Sequence, residues 1–275
     1  MMSRRAFLRR FMLPGAACLV GGYSFAIERT DVEVNRYRIA LPRLPAEFDG
    51  FTIVHLTDLH YGPFAGQSFF EKLVERVNGL SKDIVVCTGD YVLNRNTTTE
   101  VDAVWPILAQ LQAPSGVYSV LGNHDHWADS KRSIFWLEKS GQSLRHKVLP
   151  LERDGKRIWL AGSGDLWEDH HALDPLLRTI PKEECRIILA HNPDSADRLK
   201  VETFDLMLAG HTHGGQVRFP LLGAPFMPVR NKDYTMGLVW SLKGAPVFIS
   251  RGVGSTIPFR FNCAPEIALI ELART

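Results

Sequence analysis

The chain has 275 residues, 45% of them hydrophobic and 23% charged, an ordinary globular composition with material for a sizeable core. Four of its 32 basic residues and none of its 30 acidic ones fall in positions 1–26, so residues 27–275 carry 28 basic against 30 acidic side chains, a formal −2. So neutral a body lacks the electrostatic footprint of a nucleic-acid binder, and no nucleic-acid partner is expected.

The first residues read as an address. "SRRAFLRR" places Arg4 and Arg5 before Phe7-Leu8, and a moderately apolar stretch rich in Gly and Ala follows. That is the pattern of a twin-arginine export signal, so residues 1–26 are expected to be a signal peptide or N-terminal anchor. The translocation machinery is then a partner, and the destination is the periplasm or the outer face of the cytoplasmic membrane. Ser24-Phe25-Ala26 offers a small-x-small cleavage site, while the run Phe11–Ile27 is 17 residues, at the short limit for a span. Cleavage and retention both stay open. The route carries folded proteins. Of the four cysteines, Cys87, Cys185 and Cys263 lie beyond the signal. Three cannot complete a disulfide framework and match no zinc-finger spacing, so they are expected as small buried hydrophobes.

Residues 27–275 are expected to form a single domain. "DVEVNRYRIAL" alternates like an edge or sandwich strand. "FTIVHLTDLH" is a buried strand running into a polar loop. "SFFEKLVERVNGL" has helical spacing at Phe70, Leu73, Val74 and Val77, with Ser68 as its cap. "DIVVCTGD" is the next buried strand, followed by a helix through "VDAVWPILAQLQ". "GVYSVLGNHD" is a third strand, and "KRSIFWLEKSG" a helix ending before Gly141. "RIWLAGSGD", "RIILAHNPD" and "FDLMLAGHTH" are further strand-to-loop units. His170-His171 opens a helix as a solvated cap. "YTMGLVWSL", "PVFIS" and "EIALIEL" read as strands. Strands alternating with helices, then strands alone, predict an α/β fold with a two-sheet core.

The apolar strands end on chemistry: Thr57-Asp58-Leu59-His60, Gly89-Asp90, Gly122-Asn123-His124-Asp125, Ala190-His191-Asn192 and Gly210-His211-Thr212-His213. In α/β sheets ligands collect outside the carboxyl ends of strands, so these side chains can converge on one crevice. Carboxylate, amide and imidazole donors without thiolate suit Mn, Fe or Zn. Asp58-x-His60 puts two side chains on one side of an extended segment. His211-x-His213 shares that spacing, although a glycine-flanked turn could aim its imidazoles at adjacent metals. Gly89 and Gly122 allow close backbone approach. Two divalent ions about 3.5–4 Å apart would suit an in-line displacement at phosphorus.

These five blocks, in this order over roughly residues 50–272, resemble the calcineurin-like metallophosphoesterases. Gly214-Gly215-Gln216 and the tail "SRGVGSTIPFRFNCAPEIALIEL" resemble its bacterial YaeI/YkuE-like phosphodiesterase branch. The resemblance implies a four-layer α/β/β/α sandwich of two mixed sheets flanked by helices. It implies that Asp58, His60, Asp90 and His213 hold one metal, and Asp90, Asn123, His191 and His211 the other. His124 would stand near the leaving oxygen as general acid or charge stabiliser, and a bridging hydroxide would attack phosphorus. In protein-phosphatase relatives an Asp three residues after the bridging Asp orients that histidine; here the position is Leu93, so Asp125 or a backbone carbonyl must serve.

Other residues carry weaker expectations. His55 is a hydrogen-bonded core histidine, and His146 carries no role. Asp125 and His126 are candidates to support the ligands, Asp165 to face substrate or to make a turn, and Gln216 to take part in substrate choice. The apolar stretch "FPLLGAPFMPV", residues 219–229, either receives a lipid tail or membrane surface or folds back on the core. The expected function is hydrolysis of a phosphodiester or pyrophosphate in a small phosphorylated or phospholipid-type substrate such as UDP-2,3-diacylglucosamine. Against that lipid stands the outward address, because a nucleotide-linked lipid belongs to the cytoplasm. A phosphomonoesterase and a non-catalytic metal-binding module are the competing readings.

Overall fold

The computed structural model describes residues 21–169, 173–200 and 203–275. The stretch carrying Arg4 and Arg5, and the pair His170-His171, lie outside the described residues.

Two mixed sheets stack face to face. The first is ordered β1 (Glu33–Leu41), β11 (Glu266–Arg274), β2 (Thr52–Leu56), β3 (Ile84–Cys87), β4 (Val117–Ser119). The second is ordered β5 (Val148–Arg153), β6 (Lys156–Gly162), β7 (Arg186–Leu189), β8 (Leu206–Ala209), β10 (Pro246–Ile249), β9 (Gly237–Trp240). β2, β3 and β4 run parallel, as do β6, β7, β8 and β10. The last strand, β11, inserts between β1 and β2, parallel to the former and antiparallel to the latter.

Period-two alternation sorts each strand between two apolar layers. Ile53, Ile84, Val86, Ile187, Leu189, Leu206, Leu208, Phe248 and Ile270 meet in the layer between the sheets. Val54, Leu56, Val85, Cys87 and Leu269 face the other way, onto α1 (Gln67–Asn78), α2 (Thr98–Leu108) and α3 (Asn123–Lys139). Ile188, Met207, Val247 and Ile249 turn outward from the second sheet onto the short helices α4 (Leu173–Leu177) and α5 (Ser195–Arg198). The order is therefore helix, sheet, sheet, helix, the expected α/β/β/α sandwich. Strands buried on both faces show no polar face, which is why they read as continuous apolar runs.

Two helix starts differ from expectation. α1 begins at Gln67 after Gly66, so Ser68 lies inside the helix. α3 begins at Asn123, within the Gly-Asn-His-Asp block, and is interrupted at Asp129 (φ −163°, ψ 101°). That kink splits it in two, and only its second half carries helical periodicity legible from Lys131 onward.

Candidate metal centre and active site

The five blocks fall at one end of the two sheets, on loops leaving the carboxyl ends of β2, β3, β7 and β8 and at the start of α3. Donor atoms of Asp58, His60 and His213 lie within 4.8 Å of one another, as do those of His60, Asp90 and His124, and those of Asp90, His191 and His211. Asp90 belongs to two of these groups. His211 and His213 fall into different groups, so the glycine-flanked turn does separate the two imidazoles.

The means of convergence is not an extended segment. Asp58 (φ 51°), His60 (φ 50°), Asp90 (φ 57°), His211 (φ 69°) and His213 (φ 53°) all occupy the left-handed region. Asp and His tolerate it better than most residues, yet each such residue costs on the order of 1 kcal/mol. Five together store strain where the ligands are presented. The same-side argument for Asp58 and His60 therefore fails, although the pair still converges. Close approach needs glycine. A Cβ on Gly122 would lie 2.3 Å from Asp90 Oδ1, and one on Gly210 would lie 2.2 Å from Asp58 Oδ2. Gly122 and Gly210 thus let neighbouring loops press against the ligands themselves.

Backbone carbonyls aim the imidazoles. His191 Nδ1 donates to Thr88 O at 2.9 Å, leaving Nε2 3.1 Å from Asp90 Oδ2. His211 uses the opposite edge: Nε2 donates to Pro228 O at 3.1 Å, and Nδ1 faces His191 Nε2 at 3.1 Å. His213 Nε2 lies 3.2 Å from Asp58 Oδ1 and 3.0 Å from His60 Nε2. Donors about 2.1 Å from one ion and at right angles stand roughly 3.0 Å apart, so these separations fit donors sharing a cation. Asn123 Oδ1 is buried with no hydrogen-bond partner, a state that suits an oxygen meant for a metal.

The charges agree. Burial alone would raise the Asp58 and Asp90 carboxyls. The His213 and His191 imidazoles nevertheless hold Asp58 below the usual carboxylate range, and His191 and His124 hold Asp90 well below it. Burial pulls His191 down, but Asp90 outweighs it and pushes the imidazole up to about 10. Burial and the neighbouring imidazole drive His60 well below its ordinary value, and lower His211 to about 3. The ionised carboxylates and the neutral His60 and His211 imidazoles are the forms a metal needs, whereas His191 would have to give up its proton to a metal.

His124 is oriented by the backbone. Its Nδ1 donates to Leu93 O at 2.7 Å, and its own N–H donates to Asp90 Oδ1 at 2.8 Å. A backbone carbonyl thus does what the missing carboxylate does in the protein phosphatases, and Nε2 is left to the pocket. Asp125 has a different task. Its carboxylate accepts from the N–H groups of Asp90 (2.9 Å), Tyr91 (2.8 Å) and Gly122 (2.8 Å), locking two ligand loops together. His126 bonds Ser130 and turns toward Asp169. Asp165 makes a turn, its Oδ1 accepting from Trp167 and Glu168 N–H at 2.9 Å each. Gln216 lines the pocket, but its amide is occupied by Thr256, Ile257 and Phe259. His55 is a core histidine, 2.8 Å from Thr88 Oγ1. Cys87, Cys185 and Cys263 are buried and free.

Two features of the site have no signature in the sequence. Arg260 is fully buried and donates to the carbonyls of Arg251, Gly254 and Cys263, with one nitrogen 3.4 Å from His213 Nδ1. A lone Arg in "IPFRFN" gives no pattern by which to recognise that. The second is the pocket wall. A cavity of about 190 Å³ opens onto Asp90, Asn123, His124, His211 and His213 and is walled by Trp127, Trp167, Phe226 and Pro228.

Carboxylates and imidazoles gathered at the strand ends of such a sandwich define a metal-dependent phosphoric ester hydrolase. The chain belongs to the calcineurin-like phosphoesterase family, whose model matches residues 51–215. It is similar to phosphodiesterase YaeI of Escherichia coli, 33% identical over 99% of this chain and 100% of that protein. It is also similar to the uncharacterized metallophosphoesterase YkuE of Bacillus subtilis, 32% identical over 100% of this chain and 99% of that protein. The UDP-2,3-diacylglucosamine pyrophosphatase LpxG of Chlamydia trachomatis is 24% identical over 89% of this chain and 90% of that protein.

Proposed function

We propose that this chain is a two-metal phosphodiesterase. The observation that carries the diester reading is the pocket lining: among the described residues, no Lys or Arg lines the cavity that holds Asp90 and His124. A phosphomonoester brings a dianion, which calls for cations beyond the metals. A diester brings a single negative charge and a second organic substituent, which the aromatic and apolar walls suit. The name carried by the Escherichia coli relative supports the same reading.

In this reading Asp58, His60, Asp90 and His213 hold one ion, and Asp90, Asn123, His191 and His211 the other. Two divalent cations there would supply Lewis-acid polarisation and a nucleophile at neutral pH; Mn, Fe and Zn all suit the donor set. The chain's own contribution is orientation. Asp90 would be shared by the two ions, the N-terminus of α3 meets its carboxylate through the His124 N–H, and His124 would be the group to donate a proton to the leaving oxygen or stabilise its charge. The test is hydrolysis of bis-p-nitrophenyl phosphate against p-nitrophenyl phosphate with Mn²⁺. Faster turnover of the diester is expected. Faster turnover of the monoester would favour a phosphomonoesterase, and no metal-dependent hydrolysis of either would favour a non-catalytic module.

A lipid-type substrate fits the surroundings. Beside Phe226 the chain makes a tight turn, with Phe219 and Gly223 exchanging backbone hydrogen bonds at 2.9 Å. Its tip presents Leu221 and Leu222, 106% and 84% exposed. Exposed leucines on the segment leading to the pocket-wall residue Phe226 suit contact with a membrane surface or an acyl chain, and the Chlamydia relative is named for a lipid-linked substrate. Export by the twin-arginine route, through Arg4 and Arg5, is a separate part of the reading and favours a membrane-surface lipid over a cytoplasmic nucleotide-linked one. Sedimentation with phospholipid vesicles should weaken for Leu221→Ser/Leu222→Ser, and fractionation should find Arg4→Lys/Arg5→Lys in the cytoplasm. Unchanged sedimentation or unchanged export would remove the corresponding part.

A further inference from the structure

One wall of the active-site cavity is built with more care than an apolar lining needs. Trp127 and Trp167 both face the cavity that holds Asp90 and His124. Their indoles are near-parallel, 26° between planes, with centroids 6.3 Å apart. Each is held by its neighbours. The Arg95 guanidinium lies 3.8 Å from the Trp127 ring centroid, a cation–π contact that covers one face. Trp127 Nε1 donates to Glu168 Oε1 at 2.6 Å, which ties the start of α3 to the loop carrying Trp167. Asp165 Oδ1 holds that loop as a turn through the N–H groups of Trp167 and Glu168. Trp167 meets the His211 imidazole edge-to-face at 4.5 Å.

Half of Trp167 (49%) is nonetheless open to solvent. A large aromatic surface held rigid beside reacting groups, yet left uncovered, is placed to meet a ligand. A planar ring held between two others needs planes roughly 7 Å apart, twice a carbon–carbon contact of about 3.5 Å. The 6.3 Å between centroids sets an upper limit on the spacing of the planes, so a ring enters only when the half-exposed Trp167 indole moves outward.

We propose that Trp127 and Trp167 form an aromatic clamp that holds a planar π ring, a nucleobase or an aryl group, on one side of the scissile phosphoester. The clamp sets substrate choice, and the metal ligands set chemistry. It deepens the phosphodiesterase reading by naming one of the two ester substituents. The Trp127 N–H is already given to Glu168, and stacking selects for flatness before it selects among bases.

Tryptophan fluorescence tests this without turnover. The full chain is titrated with thymidine 5′-monophosphate, phenyl phosphate and ribose 5-phosphate, with Mn²⁺ and again after chelation. With Mn²⁺ the two ring-bearing phosphates should quench and bind on the order of tenfold more tightly than ribose 5-phosphate. Trp167→Ala should abolish that preference and Trp167→Phe should restore most of it; circular dichroism confirms that both fold. Tighter binding of the nucleotide than of phenyl phosphate would identify a nucleobase, and equal binding any aryl group. Equal affinity for all three phosphates in the native chain would overturn the clamp, as would a folded Trp167→Ala that keeps the preference. Loss of hydrolysis with retained ring preference would instead count against the phosphodiesterase reading alone.

Discussion

The carboxylate of Asp125 is the fastening on which the ligand loops depend, and Asp125→Asn probes it with one atom changed. Oδ2 accepts from the Asp90 and Gly122 N–H groups, and Oδ1 from that of Tyr91, at 2.8–2.9 Å. An asparagine can satisfy the first two with its oxygen. Its NH₂ group then faces the Tyr91 N–H, donor against donor. The buried Tyr91 N–H is stranded against a second donor, which costs about 2–3 kcal/mol; loss of charge adds nothing further, because burial and the neighbouring Asp90 push the Asp125 carboxyl up to about 8. For a domain of this size that corresponds to a melting-point drop of roughly 4–12 °C. Asp125→Ala strands all three donors and should lose about 4–6 kcal/mol, a large share of total stability. Displaced Asp90 should also weaken metal binding. Differential scanning fluorimetry and calorimetric Mn²⁺ titration on the native chain and both variants read the two effects. A melting point for Asp125→Asn within 1 °C of native (roughly 0.3–0.5 kcal/mol by the same scaling), with unchanged metal affinity, would refute the fastening role.

Other expectations follow from single contacts. His124→Gln should slow diester hydrolysis by about 10²–10⁴-fold while leaving metal content intact, read by steady-state kinetics beside elemental analysis. Gly122→Ala should lose metal, because the new Cβ would sit 2.3 Å from Asp90 Oδ1 and 2.8 Å from His191 Cγ; a variant retaining native metal content would contradict that crowding. Burial lowers His55 from 6.5 to about 4, so between those values the unfolded chain binds more protons. Its contribution is complete above pH 6.5 and falls by about 3 kcal/mol as pH drops toward 4. Urea unfolding at pH 7, 5.5 and 4.5 should accordingly show a flatter profile for His55→Gln than for the native chain.

The architecture was legible because its strands are short apolar runs ending on polar blocks, and that pattern survives without any view of register. Most of what surrounds the site was not. The left-handed backbone at Asp58, His60 and Asp90 has no local signature, since none is a glycine and each follows an apolar strand that reads as extended. Leu93 looked like a lost orienting group, because a side chain is visible in a sequence and a carbonyl aimed at His124 is not. Arg260 and the Trp127–Trp167 pair are assembled from segments distant in the chain. Gln216 adjoins the histidine block in sequence, but its amide holds the loop from Thr256 to Phe259.

Metal stoichiometry tests the bridging role of Asp90 most directly. The purified chain, loaded with Mn²⁺ or Zn²⁺ and freed of excess, should carry two ions per molecule by elemental analysis. Asp90→Asn, which weakens a ligand common to two donor groups, should carry fewer than one and hydrolyse bis-p-nitrophenyl phosphate at least 10²-fold more slowly. One ion in the native chain, or two ions and native turnover in Asp90→Asn, would contradict a dinuclear centre bridged by that carboxylate.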